Sequence, residues 1–251
     1  MRKITLLLFS LILLNCNGLQ DLEEATVTLE FTHNWDGDLV DSSTFGDFNY
    51  RTANGENTSI ERLRYVVSQL QFVGNTGINF SPKTYQFVDV GNGFGLSLNI
   101  QDLIPGTYEI RFRFGFSNAD NQDGVYQDLN SASFNVPSQL GGGYHYLQMD
   151  GKYKDPNQNE LNYNFHVIRA VNTSNVGFPE FVDTSFAVNL GSVTIRNDAT
   201  VEIQMNIAEW FKNPNQWDLN SLDTNLMSNF GAQLQMSENG ASVFSLGAVI
   251  Q

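Results

Sequence analysis

The stretch Thr107-Tyr108-Glu109-Ile110-Arg111-Phe112-Arg113-Phe114-Gly115-Phe116 decides the fold class. Tyr108, Ile110, Phe112, Phe114 and Phe116 share one parity, and Arg111 and Arg113 share the other. A period of two makes one apolar side only if the chain is extended, so this is a half-buried strand. Pro105-Gly106 in front of it is a turn signal.

More strands lie on both sides. Thr26 to Thr32 alternates in the same way. Arg62 to Val73, following a turn at Asn54-Gly55, reads as a strand through Tyr65-Val66-Val67, Leu70 and Phe72, and Thr84 to Val90 reads as another. Tyr144–Met149, Asn162–Ala170, Thr184–Leu190, Ala199–Asn206 and Ala241–Leu246 complete the set, with Asn197-Asp198 as a hairpin turn between two of them. Helix is scarce: Ile207 to Lys212 is one short helix stopped before Pro214, and Ser221 to Asn229 is a second candidate. No repeat of 20–50 residues is visible. Nineteen Phe and nine Tyr suit a sheet core and its rim. The expectation is an all-β chain forming a single β-sandwich of immunoglobulin-like or Greek-key type, with long loops and one or two short helices.

The N-terminus reads as an export signal. Arg2 and Lys3 precede an apolar run from Ile4 to Leu14, broken only by Thr5 and Ser10. That run is too short to span a bilayer. Leu13-Leu14-Asn15-Cys16 then matches a bacterial lipobox, with Asn15 where a smaller residue is usual. The expected organisation is a signal peptide over residues 1–15, a lipidated Cys16 with a polar tether to residue 24, and one domain over residues 25–251. The expected location is the cell envelope, lipid-anchored at the outer membrane on its periplasmic face or at the cell surface. The acidic stretch after Cys16 is either a sorting signal or plain linker. Cys16 is the only cysteine of 251 residues, which excludes an internal disulfide and any multi-cysteine metal site. Removing residues 1–15 takes away two of the 13 basic residues and none of the 27 acidic ones, so the mature charge is −16. Such a chain lacks the basic footprint that nucleic acid requires.

Three histidines remain as candidate metal ligands: His33 after the first strand, His145 after Gly141-Gly142-Gly143, and His166 in Asn164-Phe165-His166-Val167. If the strands flanking Asp155-Pro156-Asn157 form a hairpin, His145 and His166 are equidistant from residues 155–156. They would then sit opposite each other with Cβ atoms about 5 Å apart. Paired imidazoles suit copper or zinc better than calcium. A calcium loop is a second candidate, with oxygen donors Asn118, Asp120 and Asp123 followed by Gly124, Asp128 and Asn130, but without the spacing or terminal Glu of an EF-hand. Asp36-Gly37-Asp38 is a weaker one.

Common enzyme signatures are missing: no Gly-x-Ser-x-Gly, no P-loop, no His-Glu-x-x-His and no Gly-x-Gly-x-x-Gly opening a helix. The expectation is a non-catalytic protein. Two rivals stand beside metal binding. One is a surface interaction or glycan-binding module, in which Trp35, Tyr144 and Tyr146 stack on ligand and calcium orders residues 118–130. The other is a hydrolase using carboxylates that the sequence does not single out.

Several segments together resemble the MbnP-like copper-binding proteins, exported β-sandwich proteins related to methanobactin-associated periplasmic proteins. They are Phe31-Thr32-His33, Ser59 to Ser68, Phe112-Arg113-Phe114-Gly115-Phe116, Asp128-Leu129-Asn130-Ser131-Ala132, Gly142 to Gly151, and Asn164-Phe165-His166. The resemblance covers about residues 26–170 and continues through Trp210. It implies copper acquisition, storage or handling, with His33, His145 and His166 as ligand candidates. It also implies a tryptophan near the site, which in some members is oxidised to kynurenine by a di-haem peroxidase-type partner. Trp35 is the candidate for that residue. The family often carries a tryptophan shortly before the glycine-rich strand, and this chain has Phe134 there; if that is the modified position, the resemblance extends to copper binding by histidine but not to kynurenine formation. Trp210 and Trp217 read as core or docking residues.

Overall fold

In the computed structural model, which describes residues 23–75, 79–81, 85–174 and 179–251, the deciding stretch forms a nine-residue strand. Tyr108, Ile110, Phe112 and Phe114 are buried, while Arg111 is exposed and Arg113 half-buried. Residues 1–22, with the expected signal peptide, Cys16 and most of the tether, lie outside the described residues, as does Thr84.

The strands are β1 (Ala25–Trp35), β2 (Asp38–Leu39), β3 (Tyr50–Arg51), β4 (Asn57–Thr58), β5 (Arg62–Gly74), β6 (Asn79–Phe80), β7 (Tyr85–Asp89), β8 (Ser97–Leu103), β9 (Gly106–Phe114), β10 (Leu147–Lys154), β11 (Glu160–Val167), β12 (Ala170–Asn172), β13 (Glu180–Val182), β14 (Phe186–Ile195), β15 (Ala199–Asn206) and β16 (Phe244–Ile250). The helices are α1 (Gln127–Ser131) and α2 (Phe230–Gly240), with short 3₁₀ turns at Ser138–Leu140, Ile207–Phe211 and Leu226–Ser228.

Two large sheets form the sandwich. One runs β16-β15-β1-β2 with β8 on β1, and the other runs β14-β9-β5-β10-β4-β3 with β11 on β10 and β6 and β7 on β5. Pairing is antiparallel except between β1 and β15. The inner faces meet through aromatic rings: Tyr65 of β5 lies 6.4 Å from Phe31 and 6.1 Å from Phe244, and Phe112 lies 5.1 Å from Phe244. Trp210 and Trp217 are fully buried against Phe165, so both belong to the core. No described helix is long and apolar enough to cross a membrane.

Four sequence expectations need correction. Asn197-Asp198 is not a hairpin turn: β14 pairs with β9 in one sheet and β15 with β1 in the other, so the chain crosses between layers there. Both strands have an apolar face, and the sandwich buries them from opposite sides. The strand expected from Tyr144 begins at Leu147, and the one expected over 241–246 runs Phe244–Ile250. The helix expected over 221–229 is instead α2, which starts after Asn229, whose side chain accepts a hydrogen bond from the Ala232 amide as an N-cap. The short helix expected from Ile207 is present as a 3₁₀ helix over Ile207–Phe211, opened by the Asn206 side chain accepting from Ala208 N. β8 went unanticipated because only Ile100 and Leu103 of its seven residues are buried, too few to stand out as a pattern.

Candidate metal centre

The β10–β11 hairpin positions His166. Its register sets Leu147 opposite Val167 and Gln148 opposite His166, and across β10 Gln148 faces Arg64 of β5. Side chains alternate across a sheet, so His166, Gln148, Arg64 and Asp150 share one face. Tyr65, next to Arg64, points the other way and packs on Phe31 of the opposing sheet. The His166 face is therefore the outer face of the larger sheet, covered by loops and by the Leu226–Ser228 turn.

His145 reaches this face by another route. The hairpin is centred on Asn157 rather than on residues 155–156, because Lys154 pairs with Glu160. His145 is thus not the strand partner of His166 and precedes β10 altogether. Gly141, Gly142 and Gly143 all have positive φ (93°, 62° and 77°), a backbone path that side chains other than glycine rarely follow. A Cβ at Gly143 would also sit 2.5 Å from the Asn121 side chain. The path leads into a short ladder in which Val136 N donates to Gly143 O and His145 N donates to Phe134 O. The His145 and His166 rings end 5.2 Å apart and nearly perpendicular, at 88°. Two imidazoles bound to one metal through nitrogens about 2.0 Å from it have centroids about 5 Å apart.

The hydrogen bonds fix which nitrogen of each ring is available. His145 Nδ1 lies 2.9 Å from the Phe134 carbonyl oxygen. A carbonyl only accepts, so Nδ1 carries the proton and Nε2 presents a lone pair. His166 Nε2 lies 2.8 Å from Asp150 Oδ1, so in the neutral ring Nε2 donates and Nδ1 keeps the lone pair. A carboxylate behind an imidazole orients a ligating histidine and raises its basicity. Asp150 is held in turn by Asn164 at 2.6 Å and by an ion pair with Arg62. Burial alone would push the Asp150 carboxyl upward, but the bonds from His166 and Asn164 and the Arg62 charge bring it below its ordinary value. Burial lowers His145 to about 4, assisted by the nearby His166, Arg62 and Arg64, and keeps it neutral at physiological pH.

A thioether stands beside the pair. Met227 Sδ lies 3.2 Å from His145 Nε2. Its position is set by the buried Gln233 of α2. The Gln233 amide nitrogen donates to His166 O at 2.8 Å and to Leu226 O at 3.0 Å, while its oxygen accepts from Ile168 N at 2.8 Å. One side chain thus ties the end of β11 to the turn that carries Met227. The side chains gathered here are therefore two imidazoles and a thioether, a combination that would fit copper.

A family model for MbnP matches residues 24–228, which includes all of these groups except Gln233. The chain belongs to the MbnP family. Among solved structures, MbnP from Methylosinus trichosporium is similar, with a TM-score of 0.54 and 14% identity over 90% of this chain and 99% of that one. That likeness speaks to the fold. No curated protein matches.

In this MbnP-family chain, His33 does not join the other two histidines. It lies on the inner face of β1, with Nε2 3.0 Å from the Tyr65 hydroxyl, on the far side of the larger sheet from His166. Among the described residues no group of three His, Cys, Asp or Glu could hold a metal ion. Trp35 is also in the inter-sheet core, stacked between Tyr50 and Phe211 at 5.2 Å from each, with Nε1 donating to Arg51 O. The aromatic ring beside His145 is Phe134, 5.6 Å away. In the proposed calcium loop, Asp120 accepts from Ser117 at 2.7 Å and Gln69 at 2.8 Å, and Asp128 accepts from Tyr85 at 2.5 Å. Tyr144 and Tyr146 are fully buried and Trp35 nearly so, which leaves none of the three free to stack on a glycan.

Met227, Asp150 and Gln233 were not singled out from the sequence. Asp150 had a usable signal, since it lies two residues from Gln148 on the same strand face once the register is known. Met227 and Gln233 come from a distant segment and had none.

Proposed function

We propose that this protein binds copper through His145 and His166 and serves in copper acquisition, storage or handling in the cell envelope, held to a membrane by lipid on Cys16 and carrying out no catalysis. The copper reading rests on one observation: two orthogonal imidazoles 5.2 Å apart, each with one nitrogen fixed by an acceptor and the other left with its lone pair. Family membership supports it. With Phe134 and not tryptophan beside His145, copper binding here proceeds without kynurenine at that position, and the reading needs no di-haem oxidising partner there.

The test is a copper titration of the purified protein beside His145→Ala and His166→Ala, with affinity read by competition against a chelator. Stoichiometric binding by the wild type, lost in both variants with the fold intact by circular dichroism, is the expected result. Binding indifferent to both substitutions would sink the copper reading.

A further inference from the structure

His145 Nε2 and Met227 Sδ are 3.2 Å apart with no proton to place between them. The Nδ1–H of His145 is directed at Phe134 O, so Nε2 is bare, and a thioether sulfur carries no hydrogen. The opposite tautomer would set the Nδ1 lone pair against that carbonyl oxygen at 2.9 Å. The Gln148 amide nitrogen also approaches Nδ1, at 3.3 Å, but the shorter contact, 2.9 Å to the Phe134 carbonyl oxygen, sets the proton on Nδ1. Two lone-pair donors so close together are stabilised by an electrophile shared between them.

We propose that Met227 is a third metal donor, which makes the centre a two-histidine, one-methionine site selective for Cu(I) over Zn(II). The inference deepens the His145/His166 reading and rests on it. A thioether is a soft ligand with affinity for Cu(I) and little for Zn(II), so Met227 contributes to one metal and not the other. The placement is built rather than incidental. Gln233, fully buried, holds Leu226 O and His166 O with one amide and so fixes the sulfur relative to the imidazole pair. Met227 is itself partly exposed, which gives a small cation a path to the buried Nε2.

The test compares wild type, Met227→Leu and His145→Ala as full chains. Cu(I) affinity is measured anaerobically against a chromophoric Cu(I) chelator, Zn(II) affinity against a zinc chelator, and the ligands by X-ray absorption of the Cu(I)-loaded proteins. Leucine nearly matches methionine in volume at a partly exposed position, so the fold survives the change. The expected result is a loss of tenfold or more in Cu(I) affinity for Met227→Leu, less than threefold for Zn(II), and a sulfur scatterer present in wild type and absent in the variant. A Cu(I) loss below tenfold, or no sulfur in the wild-type spectrum, while His145→Ala still removes binding, overturns the thioether donor and leaves the imidazole pair standing. Zn(II) weakened threefold or more by Met227→Leu overturns the selectivity. No Cu(I) binding by the wild type overturns both the inference and the reading beneath it.

Discussion

His33 and His145 are alike by the measures that usually mark a functional histidine. Each is 4% exposed, and burial lowers each to about 4. They differ in what faces the ring. His33 Nε2 meets the Tyr65 hydroxyl, which can supply or accept a proton, so its polar demand is met inside the core. His145 Nε2 meets a sulfur that has no proton to offer. A buried histidine with a depressed pKa is therefore not a ligand candidate on that ground alone, and the proton inventory of its neighbours separates the two cases.

The largest test of this contrast is metal affinity. His145→Ala is expected to lower copper affinity at least a hundredfold, about 3 kcal/mol, whereas His33→Gln leaves it within threefold. Equal losses in a chelator competition would put His33 back in the site.

Acid stability comes next. His33 titrates at about 4 in the fold against 6.5 when exposed, so between these values the unfolded chain binds the extra proton. Stability is therefore full above pH 6.5 and falls as the pH drops towards 4, by on the order of 3 kcal/mol for this group. His145 acts in the same direction. Urea unfolding of the metal-free protein at pH 7 and pH 4 should show this loss, and His33→Gln should make it smaller. An unchanged pH dependence in that variant would mean that His33 is protonated in the native core.

Asp150→Ala probes the support behind His166. Loss of an outer partner of a ligating histidine typically costs ten- to a hundredfold in metal affinity, and the same competition assay reads it. No change would show that the carboxylate serves only Arg62 and Asn164.

The smallest expected effect is on the core side. Tyr65→Phe removes the hydroxyl that satisfies His33 and should lower stability by about 1–2 kcal/mol in denaturant titration, with copper affinity unaltered. A copper effect from Tyr65→Phe would reveal coupling across the sheet.

Much of the fold was legible in the chain. β9 and β15 were readable nearly to the residue because one parity is apolar and the other polar along their length. β8 and the boundary of α2 were not, since sparse apolar residues in one and a side-chain cap in the other leave little local pattern. The pairing of His145 with His166 was reached through a register three positions from the true one. The rings meet because the positive-φ glycines at 141–143 carry His145 over the outer face, not because the residues are strand partners.

The sequence by itself determined that this is an all-β sandwich, that the chain is strongly acidic, and that three histidines are the available imidazole donors. These follow from composition and short-range periodicity, which are properties of neighbouring residues. Only the tertiary structure decided which two histidines meet, that Asp150 stands behind one of them, and that Met227 faces the other. Those contacts join residues 16 and 82 positions apart through sheet register, a glycine path and one buried glutamine, and no local pattern encodes a distance of that kind.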